Sequence, residues 1–206
     1  MDDTITKLKQ AGVGAILPGD LPLQAIVPVG DALLASPVTA VEVRLGSHSS
    51  AIIHDLRQRA RDNMLVGIGG VNEIIEIDEA VGAGAQFVTS VNLRPSLVSH
   101  CQQQGILFLP GVISIFAAQA AVAAGCAIVR LTTGGPAGPA YVQTLCKVLP
   151  DCAVVVAGDI TAATITAYKQ AGASAILAST ALFAGPNQTM ADIITRARQM
   201  QQAWEK

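Results

Sequence analysis

Two charged residues interrupt apolar runs that otherwise have no use for charge. Glu42 sits in Ala40-Val41-Glu42-Val43, and Arg130 in Ile128-Val129-Arg130-Leu131. Burying an ionised side chain is expensive unless it is paired or put to use, so each needs a reason. A carboxylate in such a place moves protons or meets a cation. A guanidinium, with its planar fork of donors, grips a carboxylate, a carbonyl or a phosphate. The structural alternative is that the two satisfy each other as an internal ion pair, which works against the proton traffic a shuttle needs. The two readings are compatible. Asp159, in Ala157-Gly158-Asp159-Ile160, is a third candidate, and its plain role is to cap the following helix, with Thr161 as a rival cap. His48, in the polar run Gly46-Ser47-His48-Ser49-Ser50, is placed either to act as a general base or simply to be solvated on a loop. Gly67-Ile68-Gly69-Gly70 lacks the wider dinucleotide fingerprint and reads as room made for a ligand. Thr132-Thr133-Gly134-Gly135-Pro136 reads as a source of backbone donors to an anion.

Positioning these residues requires a regular scaffold, and alternation supplies it. Short apolar, β-rich runs at 14–17, 40–45, 65–69, 87–90, 107–110, 127–131, 153–157 and 175–178 are each followed by a helical pattern. Most are apolar throughout, as parallel strands covered on both faces must be. Thr4 is expected to cap a first helix running through Gln10, and Asn72-Glu73 opens one that runs to Val81. Gly84, Gly125 and Gly172 share an Ala-Gly-small turn into the next strand, where glycine reaches positive φ without strain. Eight such units predict the α/β class, a TIM (β/α)8 barrel with a short N-terminal helix, formed by residues 1–206 as one domain. Chemistry in that fold belongs at the C-terminal ends of the strands. With 51% hydrophobic but only 3% aromatic residues, the interior must be filled by aliphatic side chains.

A net charge of -2 with scattered basic residues excludes a nucleic-acid binder. Every apolar run is interrupted before it reaches membrane-spanning length. The acidic start Met1-Asp2-Asp3 does not resemble a secretory leader, and a cytoplasmic protein is expected. Cys101, Cys126, Cys146 and Cys152 have no metal spacing and read as small apolar fillers. No cofactor and no metal are expected: Glu42 and Asp159 are only two carboxylates, and Arg130 would oppose a cation beside them.

The chain resembles a known family at its strand ends. Val41-Glu42-Val43-Arg44-Leu45 and Val66-Gly67-Ile68-Gly69-Gly70-Val71 end the second and third strands. Gly84-Ala85-Gln86-Phe87-Val88-Thr89-Ser90 enters the fourth, and Leu109-Pro110-Gly111-Val112 ends the fifth. In this order and spacing they are similar to the 2-keto-3-deoxy-6-phosphogluconate (KDPG) and 4-hydroxy-2-oxoglutarate (KHG) aldolases, from about Gly12 to the last helix. The resemblance implies a class I aldolase, in which a lysine ending the sixth strand forms a Schiff base and a second-strand glutamate moves protons. It also implies a phosphate held by glycines after the seventh strand and by a small hydroxyl residue after the eighth. Glu42 matches the glutamate, Gly158 one glycine, and Ser179-Thr180 the hydroxyl. Gly69, Gly70, Pro110 and Thr132 join them as candidate substrate-binding residues, and a homotrimer is the assembly implied.

The departures fall on the chemistry. Arg130 occupies the lysine position, Asp159 that of the second phosphate glycine, and Gly46-Ser47 the place of an arginine that helps hold the substrate carboxylate. The segment Thr132-Thr133-Gly134-Gly135 replaces one that bears proline. Neutralising a free amine near pH 7 costs about 5 kcal/mol for lysine and about 9 kcal/mol for arginine, so arginine is no substitute nucleophile. Lys7, Lys9, Lys147, Lys169 and Lys206 lie away from the strand ends. A carboxylate about 5 Å from a phosphate dianion costs several kcal/mol even at an effective dielectric near 20, so Asp159 disfavours phosphate there. The expectation is an aldolase-like protein, cleaving a 2-keto-3-deoxy sugar acid phosphate or 4-hydroxy-2-oxoglutarate to pyruvate and an aldehyde, whose Schiff-base chemistry has degenerated. The alternatives are a repurposed barrel that binds a small keto acid or other anion without catalysis, and an isomerase or decarboxylase that uses Glu42 or His48 as base. A metal-assisted retro-aldol through Glu42 and Asp159 is a further route.

Overall fold

Parallel strands of two to seven residues alternate with helices along the chain. A computed structural model describes residues 2–132, 134–185 and 187–206, without the side chains of 134–136. Its strands are β1 (Val13–Leu17), β2 (Ala40–Arg44), β3 (Leu65–Val71), β4 (Phe87–Ser90), β5 (Leu107–Leu109), β6 (Gly111–Val112), β7 (Ile128–Leu131), β8 (Ala153–Gly158) and β9 (Ala175–Ala178). Helix α1 (Asp2–Ala11) precedes β1. Helices α2 (Leu23–Leu34), α3 (Ser49–Ala60), α4 (Ile74–Gly82), α5 (Pro95–Gln104), α6 (Ile115–Ala123), α7 (Gly134–Val148), α8 (Ile165–Gln170) and α9 (Met190–Glu205) follow the strands in turn. All strand pairs are parallel, in the order β5-β4-β3-β2-β1-β9-β8-β7-β6.

The two ends of that sheet are one stave. Expected as a single strand at 107–110, it is split into β5 and β6 at Pro110, which has no N–H to give to the ladder. The Pro110 carbonyl still accepts a hydrogen bond from the Arg130 amide at 3.0 Å, so the barrel closes across the break. The architecture is therefore the TIM-like barrel that the alternation predicts. The other strands fall within two residues of their expected bounds. Thr4 lies inside α1 rather than at its cap: the helix starts at Asp2, and Asp2 and Asp3 favour the positive end of its dipole. Helix α4 opens where the Asn72 and Glu73 amides donate to Glu76 Oε2, at 2.6 and 3.0 Å. Gly84, Gly125 and Gly172 all adopt positive φ at the Ala-Gly turns.

Strand periodicity sorts the core into two parts. Val41, Val43, Val129 and Leu131 face the helical layer, while Ala40, Phe87, Leu107, Ile128, Val155 and Leu177 fill the barrel interior. Leu8 and Ala11 of α1 pack onto that interior cluster and seal its N-terminal end. Three cysteines are buried and all four are free. Burial pushes the Cys101 thiol up to about 12 and those of Cys126 and Cys152 to about 11, so at neutral pH they are protonated fillers.

Candidate functional site

A cavity of about 390 Å³ opens over the C-terminal ends of the strands, and Glu42 and Arg130 form part of its wall. Ala40 and Ile128 point into the barrel, so period two sends Glu42 and Arg130 inward as well. They meet there: Arg130 Nη2 donates to Glu42 Oε1 at 2.9 Å. Thr89 Oγ1, from β4, donates to the other carboxylate oxygen at 3.1 Å. Glu42 is 1% exposed and Arg130 8%, so the attraction acts with little water between the charges. Breaking such a pair from one side costs about 3–5 kcal/mol, because it leaves an uncompensated buried charge. Gly69 makes room for the pair, since a Cβ there would come within 2.4 Å of Glu42 Oε1. Arg130 Nε is buried without a hydrogen-bond partner among the described residues, which is costly for a charged donor.

The rim near β8 and β9 is built differently. Asp159, exposed and next to Gly158, accepts from Ser179 Oγ and from Thr180 Oγ1, both at 2.6 Å on its Oδ1. The Ser179 and Thr180 hydroxyls, helped by the charge of Arg44, hold its carboxyl below the usual carboxylate range. Asp159 thus does not cap the next helix. Helix α8 begins only at Ile165, and Thr161 is engaged instead with Thr164, whose Oγ1 accepts from the Thr161 amide at 3.2 Å.

Of the residues singled out in the sequence, Glu42, Gly69, Gly70, Arg130, Thr132 and Gly158 line the cavity. Asp159, Ser179 and Thr180 form the hydroxyl–carboxylate cluster beside it. Pro110 is not among the lining residues; it is buried and acts on the site through its carbonyl, which fixes the backbone of Arg130. His48 stands apart from the cavity, its Nδ1 2.8 Å from the Leu21 carbonyl oxygen, and braces the loop after β1 against the loop after β2. Of the segment expected to supply backbone donors, Thr133 and the side chains of 134–136 lie outside the described residues, and the backbone from Gly134 opens α7. Among the described residues no group of three or more His, Cys, Asp or Glu side chains could hold a metal ion. No helix there is long and apolar enough to cross a membrane.

Arg44 and Thr89 are among the site residues not assigned from the sequence. Arg44 lines the cavity, and its signal was its position two residues after Glu42, on the same face of the strand. Thr89 is a buried hydroxyl in an otherwise apolar run, which calls for a partner. The absence of a side chain at Gly46 has a steric reason. A Cβ at Gly46 would lie 2.5 Å from the Gly19 carbonyl carbon, and one at Gly19 would lie 1.8 Å from the Arg44 carbonyl oxygen. The loops after β1 and β2 cross glycine against glycine, and no side chain fits between them.

Comparison with known proteins agrees with this fold. The chain is 32% identical over 105 residues to the 2-dehydro-3-deoxy-phosphogluconate aldolase of Treponema pallidum (strain Nichols), a match spanning 50% of each protein. It is 26% identical over 185 residues to a probable 2-dehydro-3-deoxy-6-phosphogalactonate aldolase of Rhizobium meliloti (strain 1021), covering 89% of this chain and 86% of that one. The native KDPGal structure superposes with a TM-score of 0.83 at 25% identity, over 94% of both chains. The family model for KDPG and KHG aldolase matches residues 5–195, and on that match the chain belongs to the KDPG and KHG aldolase family.

Proposed function

We propose that this aldolase-family barrel binds a small 2-keto acid without covalent attachment, over the Glu42–Arg130 pair. The observation that carries the reading is the buried Arg130 Nε, which has no acceptor among the described residues and belongs to a residue of the cavity wall. A ligand carbonyl or carboxylate oxygen there relieves an unsatisfied charged donor, a gain of about 1–3 kcal/mol or more. A Schiff base needs a neutral amine, and no lysine is among the described residues lining the cavity. The guanidinium orients and polarises a keto group but does not condense with it.

Two measurements test this together. Calorimetric titration with pyruvate and with 2-oxoglutarate is expected to give binding that Arg130→Met abolishes. Borohydride treatment in the presence of pyruvate, followed by mass spectrometry, is expected to leave the chain unmodified. A pyruvate-sized adduct on any lysine would sink the non-covalent reading, and absent binding would sink the ligand.

A second reading is favoured by Glu42, a carboxylate in the wall whose Oε2 is oriented by Thr89. In it the chain retains lyase activity, cleaving a 2-keto-3-deoxy sugar acid phosphate or 4-hydroxy-2-oxoglutarate to pyruvate and an aldehyde. The guanidinium then stabilises the enolate that leaves as pyruvate. Enzyme-coupled detection of released pyruvate, lost in Glu42→Gln, is its signature. Self-association, as a trimer, is part of the proposal. Ile113 and Phe116, 66% and 85% exposed at the start of α6, support a buried contact, and light scattering after size exclusion reads the mass directly.

A further inference from the structure

The mouth holds more charge than the Glu42–Arg130 pair engages. Arg44 lies on the cavity wall and is exposed. Among the described residues its side chain has no hydrogen bond or ion pair, although its charge is felt at Asp159. On the β8–β9 side, the Ser179 and Thr180 hydroxyls converge on one point, beside the positive-φ turn at Gly158. Two hydroxyl donors aimed at one point make a seat for an oxyanion. Each hydroxyl carries a single proton, and Asp159 Oδ1 takes both.

We propose that Asp159 is a resident anion filling the outer seat of the cavity, so that Arg44 and Arg130 receive a keto acid bearing carboxylate but no phosphate. This rests on the keto-acid reading above and adds the class of acid. The seat has no donor hydroxyl left for a phosphate, and a phosphate dianion approaching it meets a carboxylate. Arg44 is the available cation on the wall, and a planar carboxylate matches its fork of donors. Arg130, on the same wall, supplies the guanidinium for the keto oxygen in this assignment. A cavity of about 390 Å³ lies at the small end of ligand sites, suited to a short-chain acid.

The test is calorimetric titration of four forms of the full chain with pyruvate, 2-oxoglutarate, inorganic phosphate and 3-phosphoglycerate. The forms are wild type, Arg44→Gln, Asp159→Gly and Asp159→Asn. Wild type is expected to bind the two keto acids at least tenfold more tightly than either phosphate compound. Arg44→Gln should weaken both keto acids at least tenfold. Asp159→Gly, which frees both hydroxyls, should raise the affinity for inorganic phosphate and 3-phosphoglycerate at least tenfold. Asp159→Asn should raise it by a smaller factor and keeps the question answerable if the glycine variant folds poorly. Wild type binding phosphate as well as keto acids, or no gain in either Asp159 variant, overturns the assignment. If wild type binds no keto acid while Asp159→Gly gains phosphate, the resident-anion seat stands and the keto-acid reading falls.

Discussion

Two carboxylates stand at strand ends around one mouth under opposite conditions. Glu42 is buried and answered by a guanidinium, with a threonine hydroxyl on its second oxygen. Asp159 is exposed and answered by two neutral hydroxyls. The difference follows from solvation. An ion removed from water needs a full opposite charge nearby, whereas an exposed one is already hydrated and needs only donors that fix where it points. The floor pair is therefore set by desolvation, and the rim carboxylate by the donors that orient it.

The largest effect that can break this contrast lies at the floor. Arg130→Met alone strands a buried carboxylate and should cost about 3–5 kcal/mol, read from the urea midpoint. The joint change Glu42→Leu with Arg130→Met should recover most of that loss, because an apolar pair removes the desolvation penalty of both ions. A double variant as unstable as the single one would mean that the pair does more than neutralise itself. Thr89→Val comes next. It removes a hydroxyl bond to an ionised group and should cost about 1.5–3 kcal/mol, and an unchanged midpoint would show that the second oxygen of Glu42 needs no donor.

The smallest effect belongs to the rim and carries a sign. Hydrogen bonds depress the Asp159 carboxyl in the folded state, so its contribution is present above the ordinary carboxylate range and is lost as pH falls through the depressed folded value. Wild type and Asp159→Asn should differ most near neutrality and converge in strong acid. A gap that widens on acidification would contradict the hydrogen-bonding account.

Much of this was legible from residue order, within definite limits. The barrel could be read because parallel strands buried on both faces leave apolar runs, and because the Ala-Gly turns punctuate them. Glu42 and Arg130 stood out because charge is rare in such runs. Arg44 did not, because a cation near the end of a strand looks like an ordinary solvated end until its face is worked out. Asp159 was read as a helix cap because capping is a local rule, whereas its partners lie about twenty residues away and meet it only through the pairing of β8 with β9. Thr4 misled for the opposite reason, since a good cap type was overruled by the two acids before it. The break at Pro110 was signalled by proline itself, but that both halves belong to one closing stave is a property of the ring.

The crossed glycines at 19 and 46 set a boundary on redesign. A library that varies only positions 130 and 159 changes the charges of the floor and the rim, but leaves the loop crossing sealed. Placing a long side chain at 46 requires lengthening or re-routing the loop after β1 in the same step. Single-residue changes that add a side chain at 19 or 46 should therefore stall where those two loops touch.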